Sequence, residues 1–181
     1  MIVGTSAGRR THAVVDSPIG PLTLVASNGK LAGVYLDVRG HEPAAAVLGE
    51  ATTLGPDSDA VLTLAASQLR EYFAGSLTSF TVPLELAGTP FQRSVWAGLQ
   101  AIGYGETLSY GELAMRVGAP GASRAVGLAN GRNPVAIVVP CHRVVGADGS
   151  LTGYGGGLDR KRFLLELEQR VSGQTLAWAS A

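Results

Sequence analysis

The chain of 181 residues has a single cysteine, Cys141, and that scarcity is the most restrictive fact in its composition. One thiol excludes an internal disulfide and any structural zinc site built on several thiolates. The histidines, His12, His41 and His142, are scattered with no ligand spacing among them, so no metal is expected. Long apolar runs are missing too, since no stretch approaches the roughly 18 residues that a membrane span requires. The opening "MIVGTSAGRRTH" lacks the apolar segment that follows the charges of a secretory signal. A soluble, cytoplasmic protein with no membrane partner is expected. Charge of one sign is also lacking, because 14 Lys/Arg balance 14 Asp/Glu. Residues 1–84 hold five basic against seven acidic residues, and residues 85–181 hold nine against seven. Any nucleic-acid binding must therefore come from a local face and not from bulk charge.

What is present is a globular balance, 46% hydrophobic and 15% charged, in a length that suits one large or two small domains. "PLTLVAS" and "KLAGVYLD" flank Asn28-Gly29, a dipeptide that takes positive φ readily and predicts a tight hairpin. "THAVVDSPIG" reads as another strand with a Pro/Gly turn. Residues Asp59 to Ala74 have helical apolar periodicity and stop at Gly75. "SFTVPLEL" is one more strand or an extended linker. The first half is thus a small mixed α/β unit with no reactive cluster of its own, and the boundary falls near Ala87, giving domains 1–86 and 87–181.

The second half differs. "PFQRSVWAGLQAI" sets Phe91, Val95, Leu99 and Ile102 on one helical stripe. "SYGELAMRVG" opens with Ser109 and carries Glu112 three positions on, a capping-box pattern, with Gly118 as the stop. After "APGA" a second helical segment, "SRAVGLAN", ends at Asn130-Gly131, so the pair predicts a helix-turn-helix. "LDRKRFLLELEQRV" is an amphipathic helix with Phe163, Leu164 and Leu167 inward; its "DRKR" run reads as a solvated face.

A lone cysteine in an apolar context is more often a core filler than a nucleophile. Its neighbours shift that balance. Pro140 cannot donate a backbone hydrogen bond, so the strand "AIVV" should end there and display Cys141 at its tip. His142 is a candidate base, and Arg143 adds positive charge that would favour thiolate. Adjacent side chains do not face each other on a helix or a strand, so a water between Cys141 and His142, with a carboxylate holding the imidazole, is easier to build than direct transfer. A histidine packed at a turn remains the plain reading of His142. "GYGGG" lacks the Lys-Ser/Thr ending of a phosphate loop and reads as a close-approach loop beside the cysteine. Arg124, near the start of the second helix, is either a DNA contact or an ordinary exposed arginine.

"PCHRV" at 140–144, with Asn-Pro at 133–134 and "SY" at 109–110, resembles the O6-alkylguanine-DNA alkyltransferases, the methylated-DNA–protein-cysteine methyltransferases of bacterial type. The likeness extends through "PFQRSVW", "YGETLSYGELA", "SRAVGLANGRNP" and "GYGGGLDRKRFLLELE", and more loosely through "DSPIGPLTL". It implies a ribonuclease H-like N-terminal α/β domain followed by a mostly helical, winged-helix-like domain. It also implies double-stranded DNA carrying O6-alkylguanine as partner, with O4-alkylthymine a further candidate substrate. The resemblance makes Cys141 the alkyl acceptor, His142 its partner through a water, and Glu168 the group that orients His142. Tyr110 would donate to the departing guanine, and Arg124 would enter the duplex where the base has left, with Ala122 and Ser123 beside it on the DNA. Asn133 would brace the turn before the active site; Tyr154 and Gly155 would line the pocket; the Val144 backbone would help read the base. No cofactor is implied, and a monomer is, with side-by-side loading on DNA left open. The zinc-binding cysteines of some members are absent. A damage-binding relative, which carries tryptophan in place of the cysteine, a redox-sensing regulator and a Cys-His-Glu hydrolase explain fewer of these residues together.

Overall fold

The computed structural model describes residues 9–37, 43–55 and 59–173, so the opening segment and His41 lie outside the described residues. Three antiparallel strands, β1 (Arg10–Val15), β2 (Leu22–Ser27) and β3 (Lys30–Leu36), form a meander. The β2–β3 hairpin turns at Asn28 (φ 51°) and Gly29 (φ 70°), where both residues need the left-handed region that this dipeptide tolerates. A short helix α1 (Ala45–Leu48) leads to β4 (Glu50–Ala51), which pairs parallel to β1 and completes the order β3-β2-β1-β4. Helix α2 (Ala60–Phe73) starts at Asp59, whose carboxylate accepts from the Val61 N–H at 3.2 Å, and the chain leaves it through Gly75 at φ 77°. Its buried face, Leu62, Ala65, Leu69 and Tyr72, follows the 3,4 spacing of one helical stripe. "SFTVPLEL" proves to be an extended connector. Leu84 bridges to Leu31, and the Gln68 side chain accepts from Thr81 and Val82 N–H at 3.0 and 3.2 Å.

Helix α3 (Pro90–Gln100) is closed at its start by a capping box between Thr89 and Gln92. Val95, Leu99 and Ile102 are buried as expected, but Phe91 is 37% exposed. Each i+4 step overshoots a full turn by about 40°, so two steps swing Phe91 roughly 80° away from Leu99. Trp96 lies on the other side of Leu99 and is 1% exposed, with its indole N–H donating to the Ala129 carbonyl at 2.9 Å.

Strand β5 (Leu108–Ser109) runs straight into α4 (Tyr110–Arg116), where the Ser109/Glu112 capping box forms in both directions, at 3.2 and 2.7 Å. Gly118 (φ 72°) ends the helix, and α5 (Ser123–Gly131) completes the helix-turn-helix. The segment "AIVV" is not the strand its composition suggests. Val135 bridges to Val34 of β3, Ile137 reverses the chain at φ 72°, and Ala136 bridges back to Val139. A β-branched residue in the left-handed region costs of order 1–3 kcal/mol and holds only where its surroundings fix it. Cys141 therefore opens a 3-10 turn (Cys141–Arg143) and does not cap a strand. Strand β6 (Val144–Val145) pairs parallel with β5, and α6 (Leu158–Ser172) follows the glycine loop.

On α6 the buried face is Lys161, Leu164, Leu165, Leu167 and Glu168; Phe163, expected inward, is 36% exposed. The stripe centres on positions 161, 164, 165 and 168, and Phe163 stands well round the helix from Lys161. Only half of "DRKR" is a solvated face, since Asp159 and Arg162 are exposed and the other two residues are not. Arg160 donates to the carbonyls of Ile19, Gly156 and Asp37, and Lys161 is fully buried. Among the described residues no helix is long and apolar enough to cross a membrane.

Trp96 ties α3 to the end of α5, so Trp96→Phe should remove one of the two hydrogen bonds to the Ala129 carbonyl, which keeps the Arg132 N–H at 3.2 Å, and leave a small void. A loss of about 1–3 kcal/mol in urea unfolding is expected, with the same denaturant slope as the parent.

Candidate active site

The backbone leading to Cys141 is held by Asn133. Its amide donates to the Val139 carbonyl at 2.7 Å, while its carbonyl oxygen accepts from the Val135 N–H at 3.0 Å. Asn130 adds a bond of 3.4 Å to the Cys141 carbonyl. These contacts hold the chain on both sides of the strained turn at Ile137. Cys141 is 6% exposed and lies at the wall of a cavity of about 350 Å³, whose lining includes Tyr35, Asn133, Tyr154 and Gly155. Burial pushes its thiol up; the Asn133 amide and the Lys161 ammonium work against that rise.

His142 is fully buried, with Nε2 2.9 Å from Oε1 of Glu168. The same carboxylate accepts from the Arg143 guanidinium, Nε to Oε2 and Nη2 to Oε1, both at 2.9 Å. Tyr72 reaches it from α2 at 2.7 Å, and the Gly105 N–H reaches it at 3.1 Å. Burial alone would raise the Glu168 carboxyl, but the His142 ring and the Arg143 guanidinium hold it well below the usual carboxylate range. Burial pushes His142 down, and the attraction of Glu168 only partly restores it. An ionised carboxylate can only accept, so Nε2 carries the ring proton and Nδ1 presents a lone pair. Nδ1 has no protein hydrogen-bond partner among the described residues. Cysteine and histidine thus rest as an uncharged pair with the imidazole able to take a proton.

Arg143 does not do what the sequence suggested. Its guanidinium faces Glu168, and Nη1 donates to the Ile102 carbonyl at 2.6 Å, while Lys161 is the cation that acts on the thiol. The Lys161 Nζ donates to the carbonyls of Val144 and Thr152 at 2.5 and 2.6 Å. Burial depresses it to about 8. Tyr110, the first residue of α4, donates to the carbonyls of Thr152 and Gly153 at 3.2 Å each, and burial raises its phenol. A Cβ on Gly153 (φ 56°) would lie 2.9 Å from the Tyr110 hydroxyl, so a side chain there would strain the backbone and press on the phenol. Tyr154 is half-buried on the cavity wall and Gly155 follows it. Arg124 is exposed at the start of α5, with Ala122 as the cap position and Ser123 as the first helical residue. The sequence reading missed Tyr72 and Lys161. Lys161 was within reach, because it lies seven residues before Glu168 on the stripe through Leu164 and Leu165. Among the described residues no group of three or more His, Cys, Asp or Glu is placed to hold a metal ion.

Glu168→Gln leaves the Arg143 guanidinium buried without its anion, and a loss of about 3–5 kcal/mol is expected. Glu168 has a folded value below its unfolded one of roughly 4.3, so its contribution is complete above that value and is lost as pH falls through the folded one. His142, depressed below roughly 6.5, acts in the same direction because the unfolded chain binds its proton first. Urea unfolding from neutral pH to about pH 3 should show the parent losing stability steadily, and Glu168→Gln losing less below about pH 5.

Residues 11–86 match the family model of the 6-O-methylguanine DNA methyltransferase ribonuclease-like domain, and residues 90–170 match that of its DNA binding domain. The methylated-DNA–protein-cysteine methyltransferase of Mycobacterium tuberculosis is 55% identical over 158 residues, 87% of this chain and 92% of that one. The protein of the same name from Methanosarcina acetivorans is 50% identical over 161 residues, 87% and 97% of the two chains. A crystal structure of Mycobacterium tuberculosis OGT in complex with DNA is similar at a TM-score of 0.80 and 53% identity, covering 89% of this chain and 94% of that one. With its site geometry, its matched ranges and these relatives in agreement, the chain belongs to the 6-O-methylguanine DNA methyltransferase family.

Proposed function

We propose that this protein repairs DNA by taking the alkyl group from O6 of guanine in a duplex and keeping it on Cys141. The observation that carries this is the chain's one thiol, set at a cavity wall next to a buried His142–Glu168 pair. His142 takes the thiol proton on Nδ1 through a water, and Glu168 steadies the imidazolium that results. The thiolate sulfur attacks the saturated carbon on O6; the S–C bond forms as the C–O6 bond breaks. The electron pair stays with the guanine, whose developing charge receives a proton or hydrogen bond from Tyr110. The phenol is suited to this because burial keeps it protonated. The thioether product has no easy hydrolytic exit, so each molecule acts once and needs no cofactor.

The target carbon is inaccessible in a stacked duplex, so the nucleotide must be flipped out at a cost of roughly a few kcal/mol. Arg124, exposed at the start of the second helix of the helix-turn-helix, fills the gap and offsets part of that cost. Ser123 brings its helix N–H to the adjacent phosphate, and Ala122, whose own N–H is donated to the Ala119 carbonyl at 3.1 Å, packs beside it on the DNA. Tyr154 and Gly155 line the pocket for the flipped base. The Val144 carbonyl already accepts from Lys161, and its second lone pair is left to read the base. Every group named comes from one chain, which supports action as a monomer, and a cytoplasmic site of action belongs to the same reading. So does a division at 86/87, supported by the separate matched ranges 11–86 and 90–170.

Mixing the protein with excess duplex containing O6-methylguanine should add a single methyl, mapped by mass spectrometry to Cys141, and then stop. Cys141→Ser should take up none and still bind the lesion; retained transfer would remove the cysteine from its role, and unmodified parent that binds would make this a damage-recognition protein. Arg124→Ala should slow transfer from duplex by tenfold or more, roughly the cost of the lost wedge, while transfer from free O6-methylguanine stays near the parent rate. Equal losses on both substrates would mean that Arg124 is no wedge.

A further inference from the structure

The carboxylate of Glu168 has more donors than orientation requires. Oε1 accepts from Tyr72 at 2.7 Å, His142 at 2.9 Å and Arg143 Nη2 at 2.9 Å, while Oε2 accepts from Arg143 Nε at 2.9 Å and Gly105 N–H at 3.1 Å. The planar arginine fork with the backbone N–H already fixes the carboxylate plane. Tyr72 adds nothing to that alignment. It competes with His142 for one oxygen, and it comes from the part of the chain that holds none of the reacting groups.

We propose that Tyr72 of α2 is a positioning residue that restrains the proton relay: by donating to the Glu168 oxygen used by His142, it limits the negative charge that the imidazole can draw on. The proposal rests on the His142–Glu168 relay described above. A hydrogen bond to a carboxylate withdraws charge from it, so the imidazolium formed as the thiol ionises is less stabilised than Glu168 alone would make it. The proton moves from the Cys141 thiol to His142 Nδ1, leaving thiolate and imidazolium. Tyr72 loses no proton, since burial and the adjacent carboxylate hold its phenol well above the ordinary value. The ionisable groups around this pair are His142 and Arg143 from the 3-10 turn, Tyr72 from α2, Tyr104 from the segment after α3, and Lys161 and Arg170 from α6. Of these, Tyr104 supplies the control. Its ring packs under Arg143 at 5.6 Å, but its hydroxyl has no hydrogen-bond partner among the described residues.

The chain has one cysteine, so isotope-labelled cysteine yields a single NMR signal that reports thiol ionisation without any DNA. In Tyr72→Phe the titration midpoint of Cys141 should fall by about one pH unit, the size expected when a charge-assisted hydrogen bond is lost. The low-pH limb of the single-turnover transfer rate from O6-methylguanine duplex should move down with it. Tyr104→Phe should leave both where they are in the parent. An unmoved midpoint in Tyr72→Phe, or one that rises, overturns the proposal, because a purely packing or aligning role predicts one or the other. Glu168→Gln separates this failure from that of the relay itself. If it leaves the midpoint and the transfer rate at parent values, the relay reading fails; if it raises the midpoint and slows transfer, the relay stands and Tyr72→Phe decides the matter. Thermal unfolding of both phenylalanine variants confirms that the titrations compare folded proteins.

Discussion

A carboxylate removed from water must be surrounded by donors, and the architecture around Glu168 follows from that requirement. The residue is fully buried, and its two oxygens gather donors from α2, from the turn after α3, and from the residues that follow Cys141. An ion pair at such depth adds little net stability over a well-packed apolar group, yet removing either partner is costly. Its use is to specify an arrangement: Arg143 turned inward, His142 in one tautomer, and α6 seated at a single rotation. The pairs Arg143–Glu168 and His142–Glu168 bring the 3-10 turn and the last helix together, and the cysteine inherits its position from them.

A second constraint comes from backbone and not from charge. Val34 of β3 pairs with Val135, with the Val34 N–H donating to the Pro134 carbonyl at 2.9 Å and the Ala136 N–H to the Val34 carbonyl at 3.3 Å. The edge of the N-terminal sheet therefore continues into the segment that carries Asn133 and Ile137. Lys161 does similar work on the other side. One ammonium holds the Val144 and Thr152 carbonyls, and Thr152 is also an acceptor for Tyr110. The glycine loop, the Val144 backbone and the phenol thus share one buried cation. That is why a helix with a polar stripe suits this position.

Much of this was readable from the sequence, for physical reasons that differ by element. The hairpin at Asn28-Gly29, the capping boxes and the glycine stops are local, and their residues carry the signal themselves. The helix-turn-helix was legible from two short periodic segments and a turn. The family resemblance carried by the motif around Cys141 implied Glu168 far along the chain, and its carboxylate lies 2.9 Å from His142. What failed was everything decided by tertiary context. "AIVV" has strand composition, but a turn at Ile137 overrides it. Lys161 looks like a surface cation, and Arg143 like a charge that favours the thiolate, until the buried acceptors that claim them are known. Tyr72 fits a core stripe so well that its hydroxyl gave no hint of a partner at residue 168. Phe91 was misread because helical rotation accumulates along a stripe, and Phe163 because the buried face of α6 centres on Lys161 and Glu168.

The pairing of Val34 with Val135 also bears on the order of assembly. Contacts between residues so distant in sequence require closing a long loop, and the entropy of closure is lost before the contact can reward it. The β1–β2–β3 meander and the capped helices can form early, since their contacts are near neighbours in the chain. The turn at Ile137 cannot persist until β3 is present to receive Val135. Synthesis from the N-terminus supplies β3 first, so the template for the reactive loop is in place before the loop emerges. A chain that acts only once gains by this sequence of events, because its thiol acquires its partners last.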